Sequence, residues 1–320
     1  MEQENLESLH QPVMLERSLE LLAPSLESEA VLVDCTLGLG GHAEAFLNAF
    51  PSLTLIGIDR DQLALAKAQK RLAKFEGRVH FFHGTYDQIQ QAVSSFGFSE
   101  VQAVLMDLGV SSMQIDSPER GFAYSFDAPL DMRMDTSTGQ TAEELVANLS
   151  EKELTQIFRE FGEERFASRI AEAIVATRKL EKISSSKQLA TLIAQTVPFI
   201  PGKSSGHPAK RVFQALRIAV NSELEILKAA VPSAIDVLAI GGRLLVLSYQ
   251  SLEDRIVKQT LVSASSSSAP QDLPFELPEH APVLKLIVKG AEKASLEEIA
   301  LNPRSASVRL RAAEKIRKVA

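Results

Sequence analysis

Three groups of residues have types and spacing that could do chemistry together. The first is Asp34-Cys-Thr-Leu-Gly38-Leu-Gly40-Gly41-His42, a glycine turn behind a short apolar run. Glycines there let the backbone approach a ligand closely, and the helix that follows offers unpaired N–H groups. The second is Asp59, which closes the next apolar run. An acidic side chain at that place can accept both hydroxyls of a ribose. The third is Asp107-Leu-Gly-Val-Ser111-Ser112, which closes a later run. A nucleoside-bearing cofactor cradled by the first two groups would meet its reaction partner beside the third.

Two cofactor chemistries share this geometry, nicotinamide dinucleotides and methyl donors. The turn is not a G-x-G-x-x-G, because two glycines are adjacent and His42 follows them, and this tilts away from a dinucleotide. A methyl carried on a sulfonium brings positive charge, which calls for carboxylates or aromatic faces. Asp59, Tyr86 and Asp107 all fall at C-terminal ends of predicted strands. In-line displacement of a methyl needs no metal, and Cys35 is the sole cysteine, so neither an internal disulfide nor a cysteine zinc site is expected. Two alternatives stand beside the methyltransferase reading. A nicotinamide oxidoreductase would need a catalytic His or Lys near the switch point, and none is evident. A non-catalytic RNA-binding protein would need only basic surface.

The elements that must position these residues follow from the apolar pattern. Runs at 31–34, 53–58, 79–82 and 101–106 read as strands, separated by helical patterns at 42–50, 62–75 and 86–96. Such alternation predicts βαβ units and a parallel sheet. It stops at Ser111. Residues 116–135 are rich in turn formers, and helices are expected at 142–149, 151–161, 163–178 and 186–196. Ser150 with Glu153 predicts a capping box, and Ser184 or Ser185 a cap for the last helix. One long helix is expected at 209–230, a strand at 243–248 after Gly241-Gly242, and a helix at 252–262. A Ser/Pro-rich surface loop at 263–282 precedes two final strands at 283–289 and 307–312. The expected architecture is a Rossmann-like α/β sheet, mostly parallel and seven-stranded, interrupted by an all-helical insertion. The expected boundaries are 1–112, 113–208 and 209–320.

The chain has 320 residues and a net charge of −7, which by itself argues against a nucleic-acid partner. Its charge is uneven. Residues 301–320 hold Arg304, Arg309, Arg311, Lys315, Arg317 and Lys318 against Glu314, a local +5. No run reaches the ~20 apolar residues of a membrane span. Residues 1–10 are acidic and polar, unlike a secretory signal, so a cytoplasmic location is expected.

The longer words of the sequence resemble the bacterial RsmH (MraW) family. They include the 34–42 and 107–112 words above and Ile58-Asp-Arg-Asp61. Others are Glu119-Arg-Gly-Phe122, Pro129-Leu-Asp-Met-Arg-Met-Asp135, Gly162-Glu-Glu-Arg-Phe-Ala167, His207-Pro-Ala-Lys-Arg211, Ser251-Leu-Glu-Asp-Arg255 and Asn302-Pro-Arg-Ser305. The resemblance spans nearly the whole chain. It implies a class I methyltransferase fold and S-adenosylmethionine as cofactor. The implied reaction is methylation of the exocyclic N4 of a decoding-centre cytidine in 16S rRNA of the small ribosomal subunit. It implies cofactor contacts at Gly40, Gly41, His42, Asp59, Tyr86, Asp107 and Gln114. Asp107 is the expected proton acceptor, with Ser111, Ser112 and Asp131 behind it. RNA contacts are expected at Arg120, Arg133, Arg211, Arg217, Gln250 and Arg304, and a homodimer is left open. The chain departs from the family pattern at Leu39, usually Arg, at Lys210, usually Thr, at Tyr86, often Phe, and at Tyr249-Gln250, typically Phe-His.

Overall fold

Strands buried on both faces need near-continuous apolar sequence, and β1 (Ala30–Asp34), β2 (Leu53–Asp59) and β4 (Val101–Asp107) supply it. The computed structural model describes residues 12–198, 207–269 and 277–318. Among these, a seven-stranded sheet runs in the order β3-β2-β1-β4-β5-β7-β6, with β3 at Val79–His83, β5 at Leu238–Ser248, β6 at Leu284–Leu286 and β7 at Arg309–Lys315. β1 to β5 pair in parallel, and β7 pairs antiparallel with both β5 and β6. This is the mostly parallel, seven-stranded Rossmann-like arrangement that the sequence predicts. The order reverses between β1 and β4, which makes their C-terminal ends the switch point where ligands bind.

Side chains alternate across the strands and feed two apolar layers. Val31, Val33, Ile56, Ile58, Val104 and Met106 face one layer, under α4 (Ile89–Ser95), α11 (Glu223–Val237) and α12 (Ser251–Ala264). Leu32, Leu53, Leu55, Ala103, Leu105 and Leu245 face the other, under α1 (Leu15–Leu22), α2 (Gly41–Ala49) and α3 (Gln62–Leu72).

The chain divides into two compact units, one of Met1–Gly109 with Leu224–Ala320, the other Val110–Glu223. The second is helical. It holds α5 (Ser112–Asp116), α6 (Ala142–Asn148), α7 (Glu151–Glu160), α8 (Ala167–Thr177), α9 (Ser186–Thr196) and α10 (Ala209–Asn221). Its core joins Leu154, Phe158, Ile170, Ile174, Leu189 and Leu216. Ser150 and Ser185 both form capping boxes, with Glu153 and Gln188.

Several boundaries differ from expectation for local reasons. The helix expected over 209–230 breaks at Ser222, which adopts φ 50. α10 therefore stays in the helical core through Val212, Phe213 and Leu216. The helical unit thus ends at Glu223, not at 208. α8 starts at Ala167 rather than at 163, because Glu163 takes φ 48 and the Glu164 carboxylate accepts the Phe166 N–H at 2.9 Å. β5 begins at Leu238, five residues before the expected start, with a register shift against β4. β6 is shorter than 283–289, and β7 runs on to Lys315. A short helix, α13 (Leu296–Leu301), was not expected. Residues 1–11, and 270–276 within the loop expected at 263–282, lie outside the described residues.

Candidate active site

The glycine turn is held by the sheet itself. The Leu37 N–H donates to Ile58 O at 3.0 Å and the Gly40 N–H to Leu37 O at 2.8 Å. Gly40, at φ 78, is the N-cap of α2. Gly41 is required by a close approach, since a Cβ there would lie 2.8 Å from Pro12 Cγ. At Gly38, with φ +54, a Cβ would meet nothing nearer than Thr36 O at 3.8 Å, so a ligand can come close to the backbone.

Asp59 ties this turn to the end of β2. Its Oδ2 accepts the Gly38 N–H at 2.7 Å and its Oδ1 the Asp61 N–H at 2.8 Å. A carboxylate oxygen has two lone pairs, so each keeps one for a ribose hydroxyl. Burial pushes the Asp59 carboxyl up to about 6, and those two N–H groups oppose the rise. Tyr86 opens a 3₁₀ turn (Tyr86–Gln88) after β3 and packs half-buried at the edge of the core.

At the end of β4, Asp107 sits in a network that sequence reasoning reached only in part. The Tyr249 hydroxyl donates to Asp107 Oδ1 at 2.7 Å. The Asp107 N–H donates to Thr36 Oγ1 at 2.7 Å. His42 Nδ1 is 3.7 Å from Asp107 Oδ2, and its Nε2 lies 3.0 Å from Val13 O. A carbonyl can only accept, so the hydrogen is assigned to Nε2 and the other ring nitrogen faces the carboxylate. Beneath them Asp34 is 2% exposed, and burial, with the charges of Asp107 and Asp59, pushes its carboxyl up to about 7. Tyr249 was noticed only as a departure from a family pattern, and Thr36 and Asp34 only as letters of the glycine word. Nothing in their spacing tells that Tyr249 and Thr36 bond to Asp107 or that the charge of Asp107 acts on Asp34.

The other expected residues belong to the helical unit or to the edges of the sheet unit. Ser111 caps α5, with Gln114 Oε1 accepting the Ser111 N–H at 3.1 Å and Ser111 Oγ accepting the Gln114 N–H at 3.3 Å. Ser112 is the first residue of that helix. Asp131 binds Arg133 through both oxygens, each at 2.8 Å. Partial burial would raise the Asp131 carboxyl, but the Arg133 side chain and N–H hold it below its ordinary value, which weakens it as a proton acceptor. Gln250 is the N-cap of α12, and Glu253 Oε2 accepts the N–H groups of Tyr249 and Gln250, both at 3.0 Å.

Two expected RNA contacts are corrected. Arg120 is 6% exposed and donates to the carbonyls of Arg133 at 3.0 Å and Met134 at 2.8 Å. Arg217 is paired through two nitrogens with buried Glu223, at 2.8 Å each. Both charges are held inside the helical unit, whereas Arg211 lies on its surface and donates to Glu163 O at 2.9 Å. The basic C-terminus is likewise largely structural. Arg311 and Arg309 bind Asp254, Lys315 caps the end of α11 through Asp236 O and Leu238 O, Arg317 donates to Ala281 O, and Lys318 pairs with Glu100. Arg304 stays exposed.

A model of the MraW methylase family matches residues 7–316. The chain belongs to this methylase family. The ribosomal RNA small subunit methyltransferase H of Clavibacter sepedonicus is 59% identical over 314 residues, 98% of each chain. The protein of the same description from Pseudarthrobacter chlorophenolicus is 54% identical, covering 96% of this chain and 95% of the relative. Among solved structures, an rRNA methylase of Streptococcus thermophilus aligns over 97% of this chain at 12% identity and a TM-score of 0.43. Membership of a methylase family sets aside the oxidoreductase alternative. Among the described residues no cluster of three or more His, Cys, Asp or Glu could hold a metal, and no helix is long and apolar enough to cross a membrane.

Proposed function

We propose that this chain transfers a methyl group from S-adenosylmethionine to the exocyclic N4 of a decoding-centre cytidine in 16S rRNA of the small ribosomal subunit. The observation that carries the reading is the pair of carboxylates, Asp59 and Asp107, at the ends of β2 and β4, with the glycine turn of β1 between them. The relatives' description as small-subunit rRNA methyltransferases supports the substrate class.

The residues present fit the cofactor. Asp59 keeps lone pairs for the ribose hydroxyls, the open side of Gly38 admits close approach, and Tyr86 offers a ring at the adenine end. Gly40, Gly41, His42 and Gln114 complete the proposed contacts. When bound, S-adenosylmethionine supplies an electrophilic methyl on a positively charged sulfur.

The acceptor amine is a weak nucleophile, because its lone pair is delocalised into the ring, and it must lose a proton as it gains a methyl. Asp107 accepts a hydrogen bond from that amine and takes the proton as the N–H bond breaks. The base must leave its stack for N4 to be reached. Arg133, Arg211, Gln250 and Arg304 are the proposed RNA contacts. The test is transfer of labelled methyl from S-adenosylmethionine to isolated small subunits lacking the modification. Incorporation into 16S RNA is expected. RNA binding without incorporation would support the non-catalytic alternative.

A further inference from the structure

We infer that Tyr249 is a positioning residue of the reaction, its hydroxyl fixing the orientation and basicity of the Asp107 carboxylate. The inference rests on the reading of Asp107 as the group that receives the amine proton. The geometry is local and lies within the sheet unit. Tyr249 follows β5, the neighbour of β4, and its Oη donates to Asp107 Oδ1 at 2.7 Å. A Cβ on Gly109, φ +105, would be 3.8 Å from Tyr249 Cδ2, so the ring lies along the turn that leaves Asp107. The backbone of Tyr249 is itself tied down by Glu253 Oε2 at 3.0 Å.

The direction of this hydrogen bond is set by chemistry. Burial, and then the Asp107 charge, push the Tyr249 hydroxyl far above its ordinary value, so it keeps its proton and acts as donor at every working pH. A donor to a carboxylate favours the ionised form and lowers basicity. Tyr249 holds Oδ1 and Thr36 holds the main-chain N–H, while Oδ2 lies on the side of His42, 3.7 Å from its Nδ1. The ionisable groups facing this pair are His42 on α2, Asp34 on β1, Glu253 on α12 and Glu298 on α13. Phenylalanine, the residue expected here from the family pattern, would pack the same ring without the donor.

The test is Tyr249→Phe beside Asp107→Asn in the full-length chain, read by single-turnover methyl transfer to small subunits across pH. Cofactor affinity and melting temperature are measured on the same samples. Tyr249→Phe is expected to move the rising acidic limb of the rate profile up by about one pH unit and to slow transfer below the limb about tenfold, with cofactor affinity unchanged. Asp107→Asn is expected to slow transfer by ~10²–10⁴-fold. If Asp107→Asn is slow but the limb of Tyr249→Phe stays in place, the inference is overturned and Asp107 keeps its role. A lower melting temperature with an unmoved limb overturns it in the same way, leaving Tyr249 a packing residue. If Asp107→Asn transfers at the full rate, the proposed role of Asp107 fails first and the inference falls with it.

Discussion

Asp34, buried at the end of β1, and Asp59, half-buried at the end of neighbouring β2, carry different predictions. Asp59 bonds through charge-assisted hydrogen bonds, worth about 1.5–3 kcal/mol each against a neutral partner lost. Asp59→Ala is expected to weaken S-adenosylmethionine binding at least about tenfold by calorimetry. Unchanged affinity in a folded variant would remove Asp59 from the site. Asp34 touches no proposed ligand and speaks through stability. Its carboxyl, at about 7, lies above the 3.8 of an unperturbed one. Between about pH 4 and pH 7 the folded chain holds a proton there that the unfolded chain has released, so stability falls as pH rises through that window. Each pH unit is worth up to about 1.4 kcal/mol. Asp34→Asn should flatten that part of the stability curve, measured by denaturant unfolding at several pH values. An equal slope in both proteins would contradict the assignment. At this scale the places of Asp59 and Asp107 at strand ends were legible in the apolar runs that precede them. The sequence was opaque wherever the partner arrives from far along the chain, as Tyr249 does over 142 residues.

At the scale of elements, the two-faced alternation of Val31/Leu32 and Val104/Leu105 follows directly from apolar runs, so the parallel strands could be read before the structure was known. The break between α10 and α11 could not. Apolar periodicity continues straight through it, and Ser222 gives no glycine or proline signal for its left-handed turn. A non-glycine residue at positive φ is strained, so Ser222→Gly is expected to stabilise the chain by a few tenths to about 1 kcal/mol in thermal unfolding. The burial of the 129–135 segment was likewise not legible in the sequence. No apolar periodicity marks it, yet Leu130, Met132 and Met134 are buried, and Asn221 clamps the segment. Asn221 Nδ2 donates to Met132 O at 2.7 Å, and its Oδ1 accepts the Met134 N–H at 2.8 Å. Asn221→Ala leaves those buried groups unpaired and should cost about 1–3 kcal/mol of stability; a neutral result would mean water takes over both bonds.

At the scale of the whole molecule, a chain of net charge −7 must bind the polyanion proposed as its substrate through local basic surface. The C-terminal excess of basic residues looked like a ready answer, but Arg309, Arg311, Lys315, Arg317 and Lys318 all have partners within the sheet unit. Arg311→Ala should therefore behave as a folding variant. It strips a two-oxygen partner from buried Asp254 and is expected to destabilise the chain by on the order of 3 kcal/mol. Arg304 differs in being exposed. Arg304→Ala should leave the melting temperature in place and lower the log–log salt slope of RNA binding by roughly 0.7–0.9.

Nucleoside analysis decides whether the acceptor is the N4 of one cytidine. Small subunits lacking the modification are incubated with the chain and S-adenosylmethionine, and their 16S RNA is digested and resolved by mass spectrometry. The expected result is one methyl per subunit on N4 of a decoding-centre cytidine, lost with Asp107→Asn. A methyl found on a ribose oxygen, on a ring carbon or on another base would contradict the account.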